Sequence, residues 1–124
     1  MTSADPVYLV GAGASVGAVL RYATSRFLKG VTQGRRFTYG TFAVNVVGSF
    51  ALGLVTVLGA GDAALLAIGT GACGSYTTFS SFSVDTVRLW EAGDRLLAGW
   101  YAAANLLGAL SGIGAAAVIA GLVV

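Results

Sequence analysis

The sequence predicts an all-α membrane protein with four transmembrane helices, and three observations carry this prediction. Apolar residues make up 56% of the 124-residue chain and charged residues only 10%, whereas soluble domains are about 25% charged. The mean hydropathy is +0.84. The few charges also leave long charge-free stretches, and roughly 20 apolar residues are enough to cross a hydrocarbon core. Four such spans use almost the whole of residues 1–124, which we interpret as a single domain.

The four spans follow one another with short connections. Charge-free stretches cover 37–61, 63–84 and 96–124, and a shorter one, 6–20, precedes Arg21. No Lys or Arg precedes the first apolar run, as a cleavable signal peptide would require. We therefore expect that run to be the first span. The predicted helices cover about 7–28, 37–59, 63–92 and 95–122.

Glycines occur in every predicted span. In lipid, small residues let helix backbones approach closely, so we interpret most of them as packing residues. Four spans of this size can scarcely enclose a pathway alone, which predicts an oligomer. The glycines concerned are Gly11, Gly13 and Gly17, then Gly40, Gly48 and Gly53, then Gly69, Gly71 and Gly74, and finally Gly108, Gly112 and Gly114.

The third span carries a polar, glycine-rich stretch at 69–83, which reads GTGACGSYTTFSSFS. Glycine weakens helices, and Ser and Thr compete for backbone groups. We predict a break near 74–78, with helical halves over about 63–73 and 79–92. Freed carbonyls at such a break can hold a cation, and the start of the second half favours an anion. The alternative is a continuous helix whose hydroxyls bond back to its own carbonyls.

A few polar and aromatic side chains lie inside the predicted spans. Arg21 either faces water or a partner, or snorkels to the near end of its span. The Asn45 amide can donate two hydrogen bonds to an anion or can join helices, and Thr41 shares its helix face. Phe79 and Phe82 are three residues apart and share a face. Their ring edges are partly positive, although plain packing is the commoner role of such a pair.

Four segments carry a family resemblance. They are GAVLRY at 17–22, GTFAVNVVGSF at 40–50, GSYTTFSSF at 74–82 and NLLG at 105–108. In these segments, and in length and span count, the chain resembles the Fluc (CrcB) family of fluoride channels. The resemblance implies passive, selective export of cytoplasmic fluoride through an antiparallel dimer with two pores in the cell membrane.

The same resemblance implies roles for individual residues. Asn45 would be the pore amide, and the ring edges of Phe79 and Phe82 would line the ion path. A structural sodium ion at the dimer interface would be held by the backbone carbonyls of Gly74 and Thr77. Thr41, Ser80 and Ser81 would supply hydroxyls along the path. Arg21 would lie near a pore vestibule, and Tyr101 falls at the family's fourth-span aromatic position. Ala109 departs from the family, which often carries Ser there.

Basic residues are confined to one side of the predicted bundle. Six of them flank the first and third connections, and the amino-terminal tail, the loop around Asp62 and the carboxyl end have none. Because Lys and Arg stay on the cytoplasmic side, both termini are predicted outside. A fixed orientation conflicts with an antiparallel homodimer, so we hypothesise a heterodimer with an oppositely oriented paralogue; the alternative is a dual-topology homodimer. The six residues are Arg26, Lys29, Arg35, Arg36, Arg88 and Arg95.

Other functions fit the sequence less well. A small-multidrug-type proton antiporter would need an acid in the first span, which carries Arg21 instead. A non-transporting subunit that completes a partner's pores stays open as a third hypothesis. No nucleophile–base pair or phosphate loop indicates an enzyme, and the net charge of +2 forms no nucleic-acid patch.

Overall fold

The computed structural model describes residues 5–124 and confirms the predicted all-α class. Within these residues the chain forms helices joined by turns and contains no strand. Three helices are long and apolar enough to cross a membrane. They are α1 (Pro6–Val31), α2 (Tyr39–Val57) and α6 (Arg95–Val123).

Two local residues explain why helix α1 starts at Pro6. Pro6 occupies the first turn, where a missing N–H costs nothing. The Asp5 side chain accepts a hydrogen bond from the Val7 N–H at 3.1 Å, as an N-cap residue does. At 26 residues and 1.5 Å per residue, α1 is about 39 Å long, more than a hydrocarbon core requires.

The segment between α2 and α6 is built from shorter pieces. Their bounds are α3 (Asp62–Ala64), a π-helix (Leu65–Cys73), α4 (Gly74–Tyr76) and α5 (Phe79–Glu91). Only Thr77 (φ −76°, ψ 159°) and Thr78 (φ −148°, ψ 117°) are extended between α4 and α5. Residues 74–76 are helical, so placing the start of the break at Gly74 was too early.

The helices pack in two close pairs, and glycines lie at both contacts. In the first pair, α1 lies on the π-helix. A Cβ on Gly13 would come 1.8 Å from the Ala67 carbonyl oxygen, and one on Gly17 would come 2.1 Å from the Ala72 carbonyl oxygen. These backbones therefore touch, which only glycine permits.

In the second pair, α2 lies on α6. A Cβ on Gly53 would come 2.9 Å from the Ala116 Cβ, and one on Gly112 would come 2.9 Å from the Val46 carbonyl oxygen. The interpretation of these glycines as packing residues is confirmed at both pairs. Gly11 and Gly114 differ, because nothing lies within 4 Å of a Cβ built on either.

Most large apolar side chains are on the outside of the chain. Tyr101 and Val44 are the largest fully buried side chains, while Val19, Leu106 and Leu122 are more than half exposed. A soluble protein rarely exposes so much apolar surface. This distribution fits a chain whose outer surface lies in lipid.

The two basic connections lie at the same end of the molecule. The Arg36 guanidinium forms an ion pair with Asp94, which joins the α1–α2 connection to the α5–α6 connection. The six basic residues that the sequence placed on one side are therefore at one end of the bundle.

We expect Gly13→Ala to destabilise the protein by about 1–3 kcal/mol, because the added methyl group would enter the backbone of the π-helix. Thermal unfolding in detergent measures this loss. Gly11→Ala on the same helix is the matched control, since its methyl group meets open space and alanine favours the helix by about 1 kcal/mol. Equal melting temperatures for the two variants would contradict the close packing.

Candidate functional site

A groove of about 640 Å³ runs along one side of the chain, between α2, the π-helix, the Thr77–Thr78 turn and α6. Its lining contains no charged residue among those that the structure describes. The polar groups in it are the amides of Asn45 and Asn105, the Ser49 hydroxyl and the groups of the Thr77–Thr78 turn. Phe79 also lines it. The groove is thus apolar with a few neutral hydrogen-bonding groups, as ligand-binding clefts commonly are.

The turn between α4 and α5 is held by Asn45. The Asn45 Oδ1 accepts a hydrogen bond from the Thr78 N–H at 2.8 Å, and the Asn45 Nδ2 donates to the Thr78 carbonyl oxygen at 3.1 Å. The side-chain amide therefore pairs with both backbone groups of Thr78. Backbone polar groups inside a membrane need partners within the protein, and Asn45 supplies them here.

Redirection of two N–H groups leaves two carbonyls without their usual donors. In a continuous α-helix, Thr78 N–H would donate to the Gly74 carbonyl and Ser81 N–H to the Thr77 carbonyl. Here Thr78 N–H donates to Asn45, and Ser81 N–H donates to the Thr78 hydroxyl at 3.1 Å. The Gly74 and Thr77 carbonyl oxygens are thereby released from helical pairing at the edge of the groove.

Arg21 is half-buried beside this turn. Its Nη1 lies 3.5 Å from the Thr77 carbonyl oxygen, a long contact for a hydrogen bond. The guanidinium thus lies beside the turn of its own chain. Whether Arg21 faces water or a partner, or snorkels to the end of its span, stays a prediction.

Asn105 continues the polar contacts from Asn45 to α6. The Asn45 Nδ2 also donates to the Asn105 Oδ1 at 3.1 Å, and the Asn105 Nδ2 donates to the Tyr101 carbonyl oxygen at 3.0 Å. Asn105 is only 5% exposed. An amide nitrogen carries two hydrogens, so both N–H groups of Asn45 are engaged within the chain.

A second polar cluster lies one helical turn nearer the basic end. The hydroxyls of Thr41 and Tyr101 each donate to the Asp85 Oδ2 at 3.0 Å. Tyr101 is fully buried and Thr41 nearly so. Thr41 is one turn before Asn45 on α2, and Tyr101 is one turn before Asn105 on α6. The two clusters are therefore stacked along the same pair of helices.

The second cluster opens into a cleft of about 390 Å³ at the basic end. Thr41 and Asp85 line this cleft, together with the basic residues Lys29, Arg35 and Arg88. A line of hydrogen-bonding groups thus leads from a basic cleft, through Asp85 and the buried hydroxyls, to the amides in the groove.

Three aromatic rings accompany this line. The ring centroids of Phe79 and Phe82 are 5.7 Å apart, and that of Phe82 is 6.0 Å from Tyr101 with nearly parallel ring planes. Phe79 is 80% exposed, whereas Phe82 packs against the buried Tyr101. The two phenylalanines share a face, as their spacing predicts, but only Phe82 is tied into the core.

The structure brings together some of the residues that the sequence singled out and separates others. Thr41 lines the basic cleft, and Tyr101 is buried between the cleft and the groove. Ser80 and Ser81 are exposed at the start of α5 and do not line the groove; the Ser80 hydroxyl lies 3.3 Å from that of Thr78. The groove itself is lined by Asn45, Gly74, Thr77, Phe79 and Phe82.

Sequence reasoning missed three residues as members of the site: Thr78, Asp85 and Asn105. Asp85 accepts hydrogen bonds from two buried hydroxyls, those of Thr41 and Tyr101. The signal was the recurrence of polar residues at i and i+4, Thr41 with Asn45 and Tyr101 with Asn105, which marks one polar stripe on each helix.

Removal of the Tyr101 hydroxyl takes one of two donors from the Asp85 carboxylate. We expect Tyr101→Phe to lower the stability by roughly 1.5–3 kcal/mol, as for a hydrogen bond to a charged group. Thermal unfolding in detergent measures it. Tyr39→Phe is the control, because the Tyr39 hydroxyl has no hydrogen-bond partner among residues 5–124. An unchanged melting temperature for Tyr101→Phe would show that the hydroxyl does not support Asp85.

Comparison with known proteins places this architecture in a family. A family model described as CrcB-like protein, camphor resistance (CrcB), matches residues 8–122. The chain is 55% identical to the fluoride-specific ion channel FluC 2 of Haloarcula marismortui over 94% of both chains. It is 48% identical to FluC 1 of Streptomyces avermitilis over 87% of both, and 46% identical to FluC 1 of Halobacterium salinarum over 86% of both. The chain therefore belongs to the CrcB family.

Proposed function

We propose that this protein is a subunit of a fluoride-selective channel that lets cytoplasmic fluoride leave the cell passively and so lowers its toxicity. The observation that carries the proposal is the line of hydrogen-bonding groups that leads from the basic cleft into the apolar groove. It passes the Asp85 carboxylate and the hydroxyls of Thr41 and Tyr101, and it ends at the neutral amides of Asn45 and Asn105 beside Thr78. The names of the relatives, fluoride-specific ion channel, support fluoride as the ion.

The chemistry of the groove suits a small, strongly hydrated anion. A pore must replace the water around such an ion and still release it, so weak and multiple contacts serve better than one strong one. Amide N–H groups and the positive edges of aromatic rings supply such contacts. Asn45, Phe79 and Phe82 would offer them, and no charged residue lines the groove among those described.

The basic residues line the cleft at the end of the bundle instead of the groove. Lys29, Arg35 and Arg88 around the cleft would raise the local concentration of anions, and such focusing in clefts raises association rates. Asp85 also lines the cleft. Its carboxylate accepts hydrogen bonds from two hydroxyl groups, which partly compensate its negative charge.

A sodium ion is proposed as a structural component at the turn. The Gly74 and Thr77 carbonyls have lost their helical donors, and carbonyl oxygens are suitable ligands for a hard cation. One subunit offers two such oxygens, so a partner would have to supply the remainder. The bound ion would contribute fixed positive charge and join the two turns.

The proposed assembly is an antiparallel dimer in the cell membrane with two pores. Six basic residues at one end and none at the other favour a single orientation with both termini outside. This favours a partner of a different sequence and opposite orientation, and the numbered names FluC 1 and FluC 2 among the relatives are consistent with paired proteins. A dual-topology homodimer is the alternative.

Fluoride efflux from liposomes tests the channel and the role of Phe82. The liposomes hold this chain alone or with an oppositely oriented paralogue, and a fluoride electrode records the release. We expect fluoride release without chloride release, and Phe82→Ile to reduce the fluoride rate at least about tenfold, because an aliphatic side chain has no positive ring edge.

Phe27→Ile is the matched control, since Phe27 is 69% exposed on α1 and lies outside the groove. Size-exclusion chromatography shows whether each variant keeps its dimer. Equal chloride and fluoride rates in both types of liposome would overturn the proposed function. An unchanged rate for Phe82→Ile would remove only Phe82 from the pathway.

Cysteine labelling in intact cells tests the orientation. Cys73 is buried, and in a Cys73→Ala background we place a single cysteine at Gln33 or at Gly61, in connections at opposite ends of the bundle. We expect an impermeant maleimide to label only Gly61→Cys from outside, because the basic connection stays in the cytoplasm. Substantial outside labelling of Gln33→Cys would favour the dual-topology homodimer.

A further inference from the structure

We propose that Asn105 is a positioning residue for ion passage: its side-chain oxygen holds an N–H group of Asn45 in the absence of fluoride and gives it up when the ion arrives. The inference rests on the proposed fluoride channel and adds to it a specific exchange between two acceptors. It starts from the hydrogen bonds of Asn45.

The Asn45 amide has no spare donor. One N–H contacts the Thr78 carbonyl and the other contacts the Asn105 Oδ1, each at 3.1 Å. The contact with Thr78 is one of a pair, since the Thr78 N–H also donates to Asn45 at 2.8 Å. Loss of this pair would release the turn. The contact with Asn105 stands alone, so it is the one that an ion can replace without disturbing the turn.

Asn105 is held in the orientation that this exchange needs. Its Nδ2 donates to the Tyr101 carbonyl at 3.0 Å. A flipped amide would set its NH₂ against the NH₂ of Asn45 and its oxygen against the Tyr101 carbonyl oxygen, and both pairs repel. Asn105 is 5% exposed, so little of it is open to water. The acceptor that faces Asn45 is therefore fixed by α6.

An exchange of acceptors meets two requirements of a channel site: the empty site must be stable, and the bound ion must be able to leave. Without the ion, the Asn45 N–H has a partner, and a buried donor without one is costly. With the ion, a charged acceptor replaces a neutral one, and charge-assisted hydrogen bonds are about twice as strong. Because one bond is given up as another forms, the net affinity stays modest. Modest affinity allows the ion to leave, which rapid conduction demands.

Removal of the competing acceptor tests the exchange. In Asn105→Leu, the Asn45 N–H loses its acceptor within the chain. We expect the fluoride concentration that gives half-maximal efflux to fall about tenfold, the effect of one buried donor, and the maximal rate to fall as well. Asn105→Asp keeps an acceptor oxygen, so its half-saturating concentration is expected not to fall. Leu107→Val, a neighbour on α6 that does not line the groove, is expected to behave as the wild type.

A second measurement uses the wild-type protein and does not depend on the folding of any variant. Fluoride is titrated into isotope-labelled dimer, and the side-chain amide resonances of Asn45 and Asn105 are followed by NMR. Both resonances should move together, because Asn45 exchanges its acceptor at the same step at which the Asn105 oxygen loses its donor.

The outcomes separate this inference from the proposed function. A wild-type protein that releases no fluoride, alone or with a paralogue, overturns the proposed function and the exchange with it. A wild type that conducts, with an unchanged or higher half-saturating concentration in Asn105→Leu, overturns the exchange alone. If that variant does not fold, the NMR result decides: a shift at Asn45 with none at Asn105 overturns the exchange.

Discussion

Backbone hydrogen bonding at the Thr77–Thr78 turn is the constraint on which the rest of the site depends. A helix that is interrupted among apolar helices must find other partners for its N–H and C=O groups. Asn45 provides two of them for Thr78, and the Thr78 hydroxyl provides another for Ser81. The position of Asn45 on α2 therefore determines where α5 begins and which carbonyls face the groove.

The close pairs of helices serve this turn. Direct contact of α1 with the π-helix, at Gly13 and Gly17, brings Arg21 to the Thr77 carbonyl one turn further on. Contact of α2 with α6 brings Asn45 within 3.1 Å of Asn105. Larger residues at the glycine positions would push the backbones apart and lengthen these contacts. The close packing of the helices is thus what brings the hydrogen-bonding side chains within reach of one another.

The all-α class and the long apolar helices could be predicted because hydropathy and charge-free length decide them. The composition of 69–83 also indicated where helical geometry would change. Which residues leave the helix could not be read locally, because the Asn45–Thr78 contact joins positions 33 residues apart. Asp85 was missed for the same reason: its partners Thr41 and Tyr101 come from two other helices. Local sequence describes each helix, and the site arises between helices.

The cleft around Lys29, Arg35 and Arg88 has an electrical consequence for an assembled pair. In an antiparallel homodimer, each membrane face receives one identical basic mouth, so current should be symmetric about zero voltage. Beside a paralogue that lacks these cations, only one face is basic, and the pore should rectify. Because mobile ions screen surface charge over about 8–10 Å near physiological salt, that rectification would fade as ionic strength rises.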